Sequence, residues 1–233
     1  MTRLSRVVTA VNWRFAVGEV VLIVVGILIA LAFADWNDRR VARGHELAML
    51  GELRNGLEAD LATIETELDD IYRAEQRLMS LQQLLTNPRP YDPSMDELFG
   101  VVYGARIVFL NTAPYESLKS TGLQTISNDE LRSTIAHLFT VSYATMLLNN
   151  DIDMKITLDI IRPFYLRNFR DIEFKLSATP IDYDVIFNDP YYRNIVDYRL
   201  IVLRSNRITS YTRIIDEIRD VLAILEKELG ESI

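Results

Sequence analysis

The chain contains no cysteine, which excludes disulfides, thiolate nucleophiles and every cysteine-based metal site. Histidine is almost as scarce, with His45 and His137 the only two. His45-Glu46 begins like the helix of a zinc protease, but Met49 stands where the second histidine is required. His137 has no acidic or serine partner at a useful spacing, so an ordinary surface or core histidine is expected. There is no glycine-rich phosphate loop ending in Gly-Lys-Ser or Gly-Lys-Thr, no GxGxxG and no GxSxG elbow. The acidic pair Asp69-Asp70 reads as a solvated helix edge. No catalytic, cofactor-binding or metal-binding residue is therefore expected, and no enzymatic activity. Glycine and proline are also few, nine and seven in 233 residues, which argues against disorder and low-complexity linkers.

Positive charge is in deficit. Arg3, Arg6 and Arg14 against Glu19 leave residues 1–34 at +2, so the rest of the chain carries −10 of the total −8. An acidic body repels phosphate backbones, and nucleic acid is not expected as a partner.

What the chain does have is a long apolar run, GEVVLIVVGILIALAFADWND over residues 18–38. From Phe15 to Ala34 the only charge is Glu19, and as a helix this stretch rises about 30 Å, one hydrocarbon thickness. Trp13 and Trp36, the only tryptophans, bracket it at a spacing that suits two interfacial belts. Glu19 lies near the helix start, where a carboxylate favours the dipole and snorkels toward headgroups. The reading is a tail over 1–13, a transmembrane helix over 14–35 and a helical domain over 36–233. The competing reading is a cleaved signal peptide, with three arginines ahead of the run and Ala32-Phe33-Ala34 before Asp35 as the cleavage site. A buried soluble helix ranks last, because apolar residues occupy every face. Gly18, Gly26, Ala30 and Ala34 form a ridge of small residues that suits close packing on another helix, although glycine and alanine are common in any span. Arginines tie across the run, so orientation is weakly specified. The signal-like start favours an N-terminus inside and the large domain exported, on the extracytoplasmic side.

Beyond the run, apolar residues recur every seven positions at Leu50, Leu57, Ile64, Ile71, Leu78 and Leu85, which predicts a helix of about 40 residues. Three prolines in TNPRPYDPS end it. Ser94-Met-Asp-Glu97 and Ser127-Asn-Asp-Glu130 match capping boxes. The first predicts a short helix to Ala105, and another short helix is expected over 114–120, stopped by Gly122. The second box opens a long helix along Leu131, Ile135, Leu138, Ser142, Met146, Ile156 and Ile160, breaking at Pro163. Asn149 and Asp153 interrupt its apolar face; they line a polar pocket or, more commonly in such patterns, mark an exposed helix end or a kink. Residues 177–189 read as a loop, with Asp189 capping a helix that Pro190 begins. The last helix carries a heptad at Ile201, Ile208, Ile215, Leu222 and Leu229, with Tyr211, Ile218 and Leu225 three residues after the middle three. An intermolecular coiled coil has this pattern, but three such helices in one chain are more economically an antiparallel bundle. The expected fold is all-α: one transmembrane helix, then a bundle of three long helices with shorter ones between.

Tyrosines and arginines near the predicted helix ends, among them Tyr103, Arg106, Tyr115, Arg162 and Tyr191, make a candidate recognition surface. They serve equally well as helix-end plugs and caps. The stretch Gly18-Glu19-Val-Val-Leu-Ile-Val-Val-Gly26-Ile-Leu-Ile-Ala30-Leu31 followed by Trp36-Asn37 resembles the N-terminal signature of an uncharacterised bacterial single-pass membrane-protein family. Tyr115-Glu-Ser-Leu-Lys-Ser-Thr-Gly122 with Ile126-Ser-Asn-Asp-Glu-Leu131, and Asn188-Asp-Pro190, are similar to further blocks of it. The sequence departs from that pattern at Ala32-Phe33-Ala34-Asp35, where the family tends to be rich in Gln and Asn. The resemblance implies a single-pass protein with a helical domain and supplies no active site. Two functions follow: an anchored interaction or scaffold protein that contacts lipid and self-associates or joins a membrane complex, or a ligand-sensing bundle for a small molecule. About four residues are expected beyond the last helix, so a sensor would signal through a partner, which favours the scaffold.

Overall fold

The structure, a computed structural model, describes residues 13–105 and 107–230. It falls into two units, Met1–Ala48 and Met49–Ile233. Helix α1, Trp13–Thr86, contributes to both. In the first unit it is long and apolar enough to cross a membrane, and none of its apolar window is buried inside the protein. Trp36 packs against Phe33 at 5.5 Å and lies under the Arg40 guanidinium at 5.7 Å.

The second unit is a helical bundle. All six heptad leucines and isoleucines between Leu50 and Leu85 are buried, each side chain worth roughly 1.5–3 kcal/mol of transfer free energy. The second long helix is a succession: α4 (Asp129–His137), a π turn (Leu138–Ser142), α5 (Tyr143–Ile156), a second π turn (Thr157–Ile161) and α6 (Arg162–Asn168). The third is α8 (Pro190–Val202), a π turn (Leu203–Ile208) and α9 (Thr209–Gly230). Gln82 with Asp197 at 2.8 Å, Glu75 with Arg204 at 2.5 Å and Glu65 with Arg219 at 2.6 Å show the third helix running antiparallel to α1. Asn128 with Glu228 at 3.0 Å and Asn149 with the Asn206 carbonyl at 3.5 Å show it antiparallel to the second as well.

The chain returns between α1 and α4 through α2 (Asp96–Gly100) and α3 (Ala113–Thr121). The caps shift slightly from the expected positions. Asp92, rather than Ser94, accepts from the Ser94 N–H ahead of α2, and Asn128, rather than Ser127, caps α4 by accepting from Leu131 at 3.0 Å. Helix α2 stops at Gly100 and does not reach Ala105. Helix α3 ends where expected, at Gly122, whose φ of +107° suits glycine. Asp189 caps α8 through the Tyr191 N–H at 2.8 Å, as the sequence indicates.

Three expectations are corrected. Part of the presumed loop is β2 (Ser177–Pro180), which pairs antiparallel with β1 (Phe169–Glu173), and α7 (Tyr183–Asn188) follows. Pro163 does not break its helix, because a π turn precedes it and absorbs the irregularity. That turn also moves the buried line by one residue, so Ile160 is 38% exposed and Ile161 fully buried. In the last heptad the departure lies ahead of the third π turn, where Ile201 is 58% exposed; beyond that turn Tyr211, Ile218 and Leu225 are fully buried as the spacing predicts, together with Ile214 and Val221.

An aromatic cluster ties the hairpin to the bundle. Tyr165 stacks on Phe169 at 4.3 Å, Phe164 stacks on Tyr192 at 5.4 Å, and Tyr165 donates to the Phe99 carbonyl at 2.6 Å. Burial pushes the Tyr165 and Tyr192 hydroxyls well above their usual range, so both stay protonated. At Gly100 an added Cβ would fall within 2.5 Å of the Leu176 and Ser177 backbone. Gly100→Ala should therefore lower stability by about 1–3 kcal/mol through overpacking, read by urea unfolding in detergent; an unchanged midpoint would mean that the hairpin does not sit on α2.

Asp60, buried on α1, accepts from the Asn111 N–H at 2.7 Å and the Tyr143 hydroxyl at 3.0 Å. Burial raises its pKa from 3.8, against those two donors, which lower it. A raised folded pKa means that its contribution is fully present below the unfolded pKa and is lost as pH rises through the folded value. The stability of the native chain relative to Asp60→Asn should accordingly increase between neutral pH and about pH 4. Parallel pH profiles of the two would contradict this.

Candidate functional site

The interior of the bundle holds a buried ion cluster. Asp153 on α5 is 1% exposed, so it is a polar interior residue and not an exposed helix end. Arg199 of α8 donates to its Oδ1 and, through the other terminal nitrogen, to the Gly104 carbonyl. Arg207 donates to Asp153 Oδ2 at 2.9 Å and to the Tyr211 hydroxyl at 3.1 Å, and Tyr211 donates to Asn150 at 3.3 Å. The Arg207 guanidinium also lies 5.5 Å from the centre of the Tyr211 ring.

Helix geometry explains how one carboxylate reaches both arginines. Eight residues of regular α-helix would turn Arg199 and Arg207 about 80° apart; the extra residue taken up by the π turn at Leu203–Ile208 brings them to within about 20°. Two guanidinium groups share a single carboxylate, and Arg199 Nε finds no hydrogen-bond acceptor among the described residues.

A cavity of about 400 Å³ opens beside the cluster. Arg199 and Arg207 form part of its wall, Arg73 and Arg77 of α1 another part, and Lys175 of the hairpin turn a third, with Asp70 the one carboxylate among the described residues that line it. Leu78, Val101, Phe174 and Leu203 supply apolar surface between them. Arg73 pairs with Asp70, and Arg77 comes within 3.8 Å of Glu97. Lys175 adopts a left-handed backbone, φ +70°, with its N–H donating to the Tyr103 carbonyl at 3.1 Å and its ammonium 5.3 Å from the Phe174 ring. A Cβ built at Gly104 would meet only the side chain of Lys175, which lies directly over it. This wall can pair with negative charge and enclose apolar atoms. It offers no nucleophile activated by a neighbouring base. Among the described residues, no group of three His, Asp or Glu could hold a metal ion.

The candidate residues from the sequence are dispersed. Gly18, Gly26, Ala30 and Ala34 are exposed on α1, with nothing within 4 Å of a Cβ built at Gly18 or Gly26. Glu19 and Trp36 are exposed too. Arg106 and the Trp13 side chain lie outside the described residues, as do Arg3 and Arg6. Tyr103 packs edge-on against Phe174 at the cavity rim, 5.2 Å between centres. Tyr115 is in the core, stacked on Phe139 at 4.3 Å. Arg162 and Tyr191 are exposed elsewhere. His45 and His137 are exposed.

The model of a family of unknown function (DUF6090) matches residues 19–203, most of the chain. No curated protein and no solved structure matches it.

The ion cluster makes a direct prediction. Asp153→Ala leaves two guanidinium groups buried without their carboxylate and should cost about 3–5 kcal/mol, measured by chemical denaturation in detergent. A loss under about 1 kcal/mol would show the cluster open to water in solution.

Proposed function

We propose that the chain, which belongs to that family of unknown function, is a membrane-anchored helical interaction protein that works through recognition rather than catalysis. The observation that carries this reading is the first unit of α1. Its apolar residues from Val17 to Phe33 are exposed, a state that water penalises by about 25 cal/mol for each Å² of apolar surface and that lipid relieves. The small-residue ridge at Gly18, Gly26, Ala30 and Ala34 is uncovered, so a second helix can approach its backbone closely. Trp36 and Glu19 suit the two edges of such a span. A bacterial inner membrane, with the bundle on its extracytoplasmic side, fits the arginine-rich, signal-like start of the sequence. On this reading the span is a site of self-association or of docking onto another membrane protein, and the bundle is the part presented to partners.

The test is the double substitution Gly26→Ile with Ala30→Ile in the full chain. It should abolish the crosslinked oligomer or complex in native membranes and lower the sedimenting mass in detergent, while leaving the protein in the membrane fraction. Unchanged crosslinking and sedimentation would remove the helix-packing role. Peptides beginning at Asp35 in mass spectra of the same samples would replace the anchor with a cleaved signal.

A further inference from the structure

We infer that the outer face of the second long helix is a two-fold interface, on which a second copy of this chain docks head to tail. The inference concerns the second unit alone and does not depend on how the apolar run associates.

The face is a stripe of six exposed residues, Leu148, Asp151, Lys155, Asp159, Arg162 and Leu166. Intervals of three and four keep them on one side of a helix, and they run through α5, the π turn at Thr157–Ile161 and α6. In chemical terms the stripe reads apolar, acidic, basic, acidic, basic, apolar. Read backwards, acidic and basic exchange places. A copy turned end for end about Thr157 therefore sets Asp151 of one chain against Arg162 of the other, Lys155 against Asp159 and Leu148 against Leu166, all in one register. A parallel copy in register would set each charge against its own like. Reversal of its own pattern is what a two-fold contact between identical chains requires, and a different partner has no need of it.

The charges are available for such a contact. Lys155 stands four residues from both Asp151 and Asp159, a spacing at which ion pairs form within one helix. They do form elsewhere on the bundle, between Arg54 and Glu58 and between Arg213 and Glu217. Asp151, Lys155, Asp159 and Arg162, by contrast, make no ion pair and no side-chain hydrogen bond with any described residue. The stripe also sums to zero charge in a chain of net charge −8, so two acidic chains can meet here without like charges facing.

Apolar surface completes the face. Leu148 and Leu166 at the ends of the stripe are 60% and 66% exposed. Beside the stripe an apolar groove lies where Ile160 meets Tyr198 and Ile201 of α8, all three exposed. A two-fold relation brings the same flank of both copies to one side, which adds the grooves to the contact and to the roughly 800 Å² per partner that a specific interface buries.

The experiment takes the full chain carrying Gly26→Ile with Ala30→Ile, so that helix packing in the span contributes nothing and its results bear on the bundle face alone. It is run in detergent, where the anchor does not fix which way a chain points. Sedimentation should show a dimer at about 100 μM chain. Lys155→Glu sets two acidic pairs face to face and should weaken the dimer about tenfold or more, as should Asp159→Lys. The exchange Lys155→Glu with Asp159→Lys restores opposite charges and should return the dimer to within about threefold of its original strength. The chain has no cysteine of its own. Leu148→Cys chains mixed with Leu166→Cys chains should therefore form an oxidised dimer that neither forms alone, because like positions lie about 27 Å apart along the paired helices. Absence of a dimer would overturn the inference, as would failure of the exchange to restore what the single reversals remove, or linkage of Leu148→Cys chains to one another. Loss of a crosslink to a different membrane protein, in single and exchanged variants alike, would assign the face to that protein instead.

Discussion

Asp153 between Arg199 and Arg207 is the constraint around which the bundle is arranged. A carboxylate at 1% exposure is tolerable only with cations in contact, because the field of an unmatched charge is hardly screened in the interior. Meeting that demand fixes the position of α5 against α8, and the Arg199 bond to the Gly104 carbonyl extends it to the segment after α2. The Lys175 N–H on the Tyr103 carbonyl then carries the hairpin to the same place. The cluster therefore links four segments distant in the chain. Apolar packing supplies most of the stabilisation, but it is not directional. The ion cluster is what specifies which faces meet.

The π turns follow from the same requirement. A regular helix through residues 190–230 could keep its apolar stripe or aim both arginines at Asp153, but not do both. The extra residue at Leu203–Ile208 reconciles them, and the consequence is a stripe that changes face. This is why part of the fold was legible from spacing and part was not. Along Leu50 to Leu85 no irregularity intervenes, and a seven-residue period read on paper coincides with the burial observed. Along Ile201 to Leu229 the same arithmetic crosses a π turn and holds on one side of it only: Ile201 is left in solvent, while Tyr211, Ile218 and Leu225 take the core where the heptad puts them. Periodicity assumes a constant number of residues per turn, and it fails where a buried charge alters that number.

The candidate site was legible only in outline. The break in the apolar face at Asn149 and Asp153 was visible: Asp153 is buried and Asn149 half-buried, neither lines the cavity, and a π turn follows at Thr157–Ile161. The partners were hidden because Arg199 and Arg207 sit in a helix rich in arginine, where most such residues are surface. Arg199, Leu203, Arg207 and Tyr211 recur at intervals of four, but in a regular helix that spacing leaves the two arginines about 80° apart, and only the π turn brings them to one carboxylate. Lys175 and the glycines could not have been found this way. Their place depends on the hairpin, and β1 and β2 are too short and too irregular to show a strand alternation, with Asp171 left-handed at the bulge. Tyr115 shows the converse: a residue type typical of interfaces, here spent on a stacked pair in the core.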